Sequence, residues 1–487
     1  MMRRLLLPAL ILFAAALLPA SAGAAQYAQP VDYPGLQHLT YKFGPIDIAP
    51  GQNTIEIHPN DLKPKVPGYI TAFRPNLTYL NGKVPGVDVI HLHHGVWLVD
   101  GLPTWAAGEE KTNVFLPQGY GYWYDLDQKW LLNYMIHNLT PNPDKVYLTY
   151  EIDFLPATEA TAQGMKTVRT QWMDAAGVKA YPIFDALRRL GHKGQYTFPD
   201  MAKGAERKKI GFAHEWNVPN DGTLVATAGH LHPGGLHTDL YLTRNGQRVR
   251  LFRSEAHYFE PAGAVSWDVA MTNTPPDWKV QLHKGDVISV TGTYDVSKAS
   301  WYESMAIMPV AYSEGDTTGI DPFSGQLDTK GVLNHGHLAE NDNHGGGQSG
   351  LPDARTLMGV RGGGGRVDIK DFIYAQGDLN MTGRAGRPPV VRQGRRLTFV
   401  NQDSDATIYH TITACKQPCS GETGIAYPLA DGRVDFDSGE LGFGPAVMTA
   451  AANRKSWKTP SNLKPGTYTY FCRVHPFMRG SFKVVAR

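Results

Sequence analysis

A short segment near the C-terminus, YFCRVHPFM, carries three side chains that could bind a metal. Cys472, His475 and Met478 follow one another at intervals of three, and His410 lies upstream in an apolar, β-like stretch. Two imidazoles, one thiolate and one weakly bound thioether are the ligand set of a blue-copper electron-transfer site. A buried Cys beside an exposed His is the alternative for a lone Cys. The spacing and the closing strand-like run GSFKVV favour copper.

Residues 366–487 resemble a cupredoxin, and the loop that begins at Cys472 is most similar to the short ligand loop of amicyanin. The resemblance implies a Greek-key β-sandwich with His410, Cys472, His475 and Met478 around one type 1 copper. It does not indicate where the electron goes.

The length and composition predict several β domains. A chain of 487 residues exceeds what one hydrophobic core usually supports. The 52 Gly and 34 Pro suit a turn-rich β protein. With a formal net charge of +2, nothing indicates a nucleic-acid partner.

The N-terminus has the pattern of a secretory signal peptide over residues 1–24. A basic MMRR start precedes an apolar run and small residues at a cleavage point after Ala22 or Ala24. No later run of about eighteen apolar residues follows, so no stable membrane span is expected after cleavage. We therefore expect a periplasmic or secreted protein, with an uncleaved membrane anchor as the alternative.

Only three Cys occur in the chain. If Cys472 binds copper, Cys415 and Cys419 remain as a possible disulfide, which an exported protein allows. The spacing permits this bond but does not require it.

Upstream of the cupredoxin-like segment, short alternating apolar runs separated by Gly, Pro, Asn and Asp favour β-sandwiches. We place one over residues 30–200 and a second over 201–325, with a helix-like stretch at 181–190. Residues 326–365 are rich in Gly and predict a flexible linker. The linker residues His335, His337 and His344 are expected to be solvated, with metal binding as the alternative.

Further imidazoles occur in three strand-like clusters before the linker, followed by a methionine. In a strand, His91 and His93 share a face while His94 points away, unless the strand twists there. Taken singly, each of these residues is more often part of a core. The candidates, in chain order, are His91, His93, His94, His137, His230, His232 and Met305.

This order resembles the copper type II, ascorbate-dependent monooxygenase family, which includes peptidylglycine hydroxylating monooxygenase and dopamine β-monooxygenase. The resemblance implies two packed β-sandwich subdomains that carry two type 2-like mononuclear coppers. One copper would be held by His93, His94 and His137 and would pass electrons. The other would be held by His230, His232 and Met305 and would hydroxylate a C–H bond with O2; Met308 is a second thioether three residues further on.

The chain departs from the peptide-amidating members of that family. Where those enzymes bind the substrate carboxylate, this chain has Ala228, Ile307 and Pro309. An unpaired buried carboxylate would cost several kcal/mol, so a C-terminal glycine peptide is a poor substrate. An external electron donor, either ascorbate-like or a redox protein, and a small-molecule substrate of unknown identity are expected.

Two functions remain open from the sequence. The first is an exported copper monooxygenase with a fused electron carrier, and the second is a non-enzymatic copper-binding or electron-transfer protein. A multicopper oxidase or nitrite reductase would need a His-Cys-His bridge or further cupredoxin repeats, and neither is present. The role of His91 is left open.

Overall fold

The computed structural model describes most of the chain as an all-β protein. The described residues are 28–177, 181–200, 214–259, 264, 267–297, 300–327, 329–337, 348–361, 365–381, 383–403, 408–417, 419, 435–442 and 454–487. The expected signal peptide and His344 lie outside them. Within these ranges, no helix is long and apolar enough to cross a membrane.

Ten strands and one 3₁₀ helix (Ala160–Gly164) form the first sandwich. The strands are β1 (Gln37–Ile48), β2 (Ile55–Pro59), β3 (Gly68–Tyr79), β4 (Ile90–Val99), β5 (Leu102–Ala107), β6 (Val114–Phe115), β7 (Tyr120–Tyr124), β8 (Trp130–Asn138), β9 (Asp144–Pro156) and β10 (Lys166–Gln171). A four-stranded sheet in the order β2–β8–β4–β5 packs against β1, β9, β3 and β7. Phe73, Trp97 and Leu148 lie in the core between the two layers.

Fourteen further strands and a second 3₁₀ helix (Arg188–Leu190) follow in the described residues. The strands are β11 (Phe184–Ala186), β12 (Gln195–Phe198), β13 (Glu215–Asn217), β14 (Gly222–Thr227), β15 (His230–Leu231), β16 (Gly235–Arg244), β17 (Gln247–Tyr258), β18 (Val269–Asn273), β19 (Val280–Leu282), β20 (Val287–Asp295), β21 (Trp301–Ser304), β22 (Ala306–Ile307), β23 (Val310–Glu314) and β24 (Val332–Leu333). A sheet in the order β12–β20–β16–β17–β18–β24 packs against β14, β19 and β23. Leu240, Phe252 and Val290 lie in the core between these layers.

One nine-stranded sheet runs through both sandwiches. Its order is β1–β9–β3–β7–β10–β23–β14–β19, with β6 beside β3. Strand β10 is the junction, because it pairs in parallel with β7 and antiparallel with β23. This continuous hydrogen bonding fixes the relative orientation of the two sandwiches.

The helix expected at residues 181–190 is wrong. The chain there forms β11 and then the 3₁₀ helix at Arg188–Leu190. Phe184 and Ala186 are buried and pair with β21. This tertiary pairing outweighs the local helical pattern. Strands β11 and β12 pair with strands of the second sandwich although they precede residue 201.

Part of the expected linker is packed against the sandwiches. Strand β24 pairs with β18. The buried Asn334 accepts a hydrogen bond of 2.6 Å from the Asn113 backbone. His337 lies 2.8 Å from the Asp268 carboxylate. At least residues 329–337 therefore belong to the folded body.

The described part of the C-terminal sandwich contains two four-stranded sheets. Its strands are β25 (Arg366–Lys370), β26 (Ile373–Tyr374), β27 (Val390–Arg392), β28 (Thr398–Asn401), β29 (Thr413–Cys415), β30 (Ser456–Lys458), β31 (Gly466–Phe471) and β32 (Arg479–Val485). The sheet orders are β26–β25–β28–β30 and β27–β32–β31–β29. Phe399, Tyr470 and Phe482 are part of the core that they enclose. Cys415 and Cys419 form the disulfide that the sequence allowed.

Candidate metal centres

The first candidate centre lies at one end of the C-terminal sandwich. His410 precedes β29, while Cys472, His475 and Met478 occupy the loop between β31 and β32. All four side chains are fully buried. Because β29 and β31 pair in one sheet, the fold brings His410 beside the loop.

Three donor atoms of this centre form a compact triangle. Nδ1 of His410 and Nδ1 of His475 are 3.3 Å apart, and each lies 3.8 Å from Sγ of Cys472. A triangle of this size has room for one ion with bonds of about 2.1 Å to nitrogen and about 2.3 Å to sulfur. His410, Cys472 and His475, with the buried Met478 nearby, would hold copper, which would supply one-electron transfer there.

Neighbouring groups orient these donors. The backbone N–H groups of Thr411 and His475 donate to Sγ of Cys472 at 3.3 and 3.4 Å, which stabilises a thiolate. Nε2 of His410 lies 2.9 Å from the Asp403 carboxylate, so Nδ1 of the ring is left for a metal. Burial lowers the pKa of His475 well below its usual value, which keeps this ring neutral.

The second feature is a cavity of about 80 Å³, which we call the histidine cavity because His91, His93, His137 and His232 line it. All four rings belong to residues no more than 5% exposed. Ring centroids are 4.7 Å apart for His93 and His232, 5.0 Å for His91 and His137, and 6.3 Å for His91 and His93. The side chain of Trp267 stacks on His91 at 4.6 Å.

Electrostatics keeps these imidazoles in their metal-binding form. Burial lowers the pKa of His137 to about 3. It also lowers the pKa values of His91, His93 and His232 well below their ordinary value. All four rings are therefore neutral near pH 7, with nitrogen lone pairs that no proton occupies.

The third feature is a larger cavity of about 280 Å³, which we call the apolar cavity. Its wall is mainly apolar and includes the expected copper ligands His94, His230 and Met305. Nε2 of His94 lies 3.3 Å from Oδ1 of Asn133. Nδ1 of His230 lies 3.0 Å from both carboxylate oxygens of the buried Glu110. Burial lowers the pKa of His94 to about 4.

The apolar cavity also contains the three positions at which the sequence departs from the amidating enzymes. Ala228, Ile307 and Pro309 all line it. Glu110 brings a negative charge, because His230 and backbone hydrogen bonds lower the pKa of Glu110 overall, although burial opposes the shift. The cavity therefore suits a small uncharged ligand and disfavours a carboxylate.

The structure groups the expected copper ligands differently from the family resemblance. His93 and His137 face the histidine cavity, whereas His94 faces the apolar cavity. Likewise, His232 faces the histidine cavity, whereas His230 and Met305 face the apolar one. Among the described residues, three His, Cys, Asp or Glu donors lie within 4.8 Å of one another only at the C-terminal centre.

A β-bulge in β4 explains part of this grouping. His91 pairs with His137 and Leu92 with Ile136, but the register then shifts by one residue before His94. An extra residue at His93 interrupts the alternation of the strand. Both His93 and His94 therefore leave the core face, with ring centroids 5.7 Å apart, and point into different cavities.

The structure also separates the two candidate thioethers. Met305 lines the apolar cavity, whereas Met308 is fully buried in the core of the second sandwich. The Tyr294 hydroxyl accepts hydrogen bonds from the backbone N–H groups of Met305, at 3.0 Å, and His232, at 3.2 Å. One tyrosine thus positions a residue at the wall of each cavity.

The C-terminal centre and the histidine cavity are in direct contact. The rings of His137 and His475 meet edge to face with their centroids 5.6 Å apart. Thr411, Arg473 and Val474, from the two segments that carry the expected copper ligands, line the same cavity. The metal loop of one sandwich thus forms part of the wall of the other site.

Sequence reasoning missed the partners of these donors. Glu110 lies in the run GEEK, whose charges predict exposure, yet this segment is buried. Asp403 gave no signal beyond a turn-like context. Tyr294 and Trp267 resemble ordinary core aromatics. Only the tertiary structure places these four residues beside the histidines.

Comparisons with known proteins add little. No protein-family model and no curated protein matches the chain. One similar solved structure is the reduced state of an amicyanin mutant, with 18% identity over 28% of this chain and 94% of that chain, at a TM-score of 0.14. Another is the copper-containing nitrite reductase of Thermus scotoductus SA-01, with 12% identity over 55% of this chain and 58% of that one, at a TM-score of 0.16. At such TM-scores neither likeness carries an argument about function.

Proposed function

We propose that the chain is an exported copper-dependent oxidoreductase. Its C-terminal sandwich holds a type 1 copper at His410, Cys472, His475 and Met478, and this centre exchanges electrons with copper held in the N-terminal two thirds. Bound copper supplies one-electron redox chemistry, which an imidazole and thiolate ligand set permits. The observation that carries the proposal is the contact between the rings of His475 and His137.

The surroundings of this contact support electron transfer. Both rings are buried, so a bulk-water gap does not separate the two sites. Burial of His475 and His137 limits the reorganisation of solvent that accompanies a change of charge. The chain thus provides a short, buried connection between the proposed one-electron carrier and a histidine-lined cavity.

We propose further that the reaction is O2-dependent hydroxylation of a C–H bond in the apolar cavity. One oxygen atom enters the C–H bond and the other leaves as water, and two electrons and two protons come from an external ascorbate-like donor or redox protein. His94, His230 and Met305 supply metal-binding groups in the wall. The surrounding apolar residues exclude water and select a small uncharged substrate.

The second candidate function is non-enzymatic copper binding with electron transfer. The separation of the expected ligand sets between two cavities favours it. In that case the N-terminal two thirds bind copper without activating O2.

Electron transfer is tested by stopped-flow spectroscopy on the full copper-loaded chain. The blue centre is reduced anaerobically, and the return of its thiolate-to-copper absorption is followed as the electron leaves for the second centre. We expect a first-order rate that does not depend on protein concentration. Absence of transfer on the timescale of turnover would reject the coupling.

Catalysis is tested by oxygen uptake with ascorbate across a panel of small apolar compounds. The enzyme predicts uptake coupled to a hydroxylated product. Full copper loading without coupled uptake for any compound would instead support the non-enzymatic function. A carboxylate-bearing analogue of each active compound is the matched control and should be a poor substrate.

A further inference from the structure

The histidine cavity contains one imidazole, His91, that belongs to neither expected ligand set. It lies on β4 directly opposite His137 on β8. The residue is fully buried, which is uncommon for histidine unless its ring has a partner or a ligand. His93 and His232 complete the ring of imidazoles around the same small space.

Several nitrogen atoms in this cavity have no well-formed hydrogen bond. Among the described residues, none accepts from or donates to Nδ1 of His93 or Nε2 of His232. The ring nitrogens of His91 are in the same position, apart from a weak interaction with the Val87 backbone. Buried polar atoms left unpaired in this way are costly, and a bound ion would satisfy them.

The second nitrogen of His232 is already fixed. Its Nδ1 lies 2.5 Å from the backbone oxygen of Glu303, so this nitrogen carries the proton and Nε2 presents its lone pair. This is the usual way in which a protein orients a metal-binding imidazole.

We propose that His91, His93, His137 and His232 bind a single copper ion and form the electron acceptor of the blue centre. The inference rests on the proposed function for the identity of the metal, but its ligand set comes from the cavity itself. His91 then takes the position that the family resemblance gives to His94. Among the described residues, no three donor atoms of this cavity lie within 4.8 Å of one another. We therefore expect copper binding to draw the four rings together by side-chain rotation.

The test compares two matched variants of the full chain, His91→Gln and His94→Gln. Both residues are buried histidines of β4, and Gln has similar length and polarity. Each variant is loaded with copper, and bound copper is counted by mass spectrometry and by the non-blue EPR signal. We expect His91→Gln to lose the non-blue copper that takes an electron from the pre-reduced blue centre, whereas His94→Gln, which alters the apolar cavity, keeps that electron acceptor. The opposite result would overturn the proposal in favour of the set containing His94.

The blue absorption band distinguishes failure of the proposed function from failure of the four-histidine site alone. A variant that keeps this band has a folded C-terminal sandwich, so a lost non-blue signal then reports on the cavity. If the unaltered chain lacks the blue band, the proposed function fails. If the blue band and a second copper are present and His91→Gln changes neither, only the four-histidine site fails.

A second measurement does not depend on any variant. Pulsed EPR of the unaltered chain, at a field where the blue copper does not contribute, counts the imidazoles bound to each non-blue copper. One non-blue copper with four imidazoles of matching coupling is expected. Three or fewer imidazoles on every non-blue copper would contradict the proposed ligand set.

Discussion

The partner of each imidazole decides what the ring can do. Asp403 holds one nitrogen of His410, and the Glu303 backbone holds one nitrogen of His232. In each case the other nitrogen faces a candidate metal position. Such supporting groups fix the tautomer and the orientation of a ligand and so tune metal affinity.

The contribution of Asp403 can be measured directly. We expect Asp403→Asn to lower the copper affinity of the blue centre roughly 10–100-fold, because the uncharged amide supports the His410 ring less strongly. A competition titration against a chelator measures this change. The matched control is Asp368→Asn, an exposed carboxylate of the same sandwich, which should leave the affinity unchanged.

A buried carboxylate of the C-terminal sandwich predicts a pH dependence of stability. Burial raises the pKa of Asp378 to about 6, against 3.8 for the ordinary side chain. Between these values the folded state binds more protons than the unfolded state, so the free energy of unfolding falls as the pH rises. We expect the copper-free chain to lose roughly 2–3 kcal/mol through this group between about pH 4 and pH 7.

Urea unfolding of copper-free Asp378→Asn beside the unaltered chain isolates this contribution. The free energy of unfolding of the variant should depend less on pH than that of the unaltered chain. A difference in stability that is the same at every pH would not affect this comparison. Identical slopes for the two proteins over this range would show that Asp378 is ionised at its ordinary pKa.

The two sites differ in how far their residues could be predicted. Cys472, His475 and Met478 share one loop, so their spacing alone placed them together. His93 and His94 are also adjacent, but a one-residue bulge decides which cavity each ring enters, and no local pattern marks that bulge. Glu110 could not be identified because burial of a charged run contradicts its composition.

At the scale of elements, pairing with distant strands overrides local preference. The alternating apolar runs predicted the all-β architecture correctly. The helical pattern at 181–190 failed because β11 pairs with β21, more than a hundred residues away in sequence. The continuation of one sheet through β10 into the second sandwich could not be predicted either, because the sequence of a strand does not specify which strands pair with it.

The disulfide closes a short loop after β29 and can be tested separately from copper binding. We expect the double variant Cys415→Ser, Cys419→Ser to lower the free energy of unfolding of the C-terminal sandwich by about 2 kcal/mol, the chain-entropy estimate for so short a loop. The blue absorption band should not change, because neither sulfur is a ligand. Urea unfolding followed by that band measures both quantities.

A shifted or lost blue band at saturating copper would contradict this assignment, since it would place one of these sulfurs at the metal. The double variant is preferred to a single one because it leaves no unpaired thiol to react.

For the whole molecule, stability and metal content should be coupled. All three cysteines lie in the C-terminal third, so the N-terminal two thirds depend on burial and, as we propose, on copper. Free copper at about 100 times its dissociation constant stabilises a folded site by about 2.7 kcal/mol. We expect calorimetry of the chelated chain to show a thermal transition of the N-terminal sandwiches that rises when copper is restored.

Magnesium is the control for this experiment, because it prefers oxygen ligands and should leave the transition unchanged. A copper-independent transition of the N-terminal sandwiches, beside a copper-dependent C-terminal one, would limit metal binding to the blue centre.

The burial of His475 against His137 affects which molecules could exchange electrons with the proposed blue centre. A carrier whose ligand edge is open to solvent can serve any protein that collides with it, whereas here that edge is sealed by the same polypeptide. Under the proposed function, an electron that leaves the copper of this centre would pass inward to the histidine cavity, and transfer to proteins that collide with the surface would be slower. Fusion of the two parts would thus limit the number of external redox partners and favour transfer within one chain.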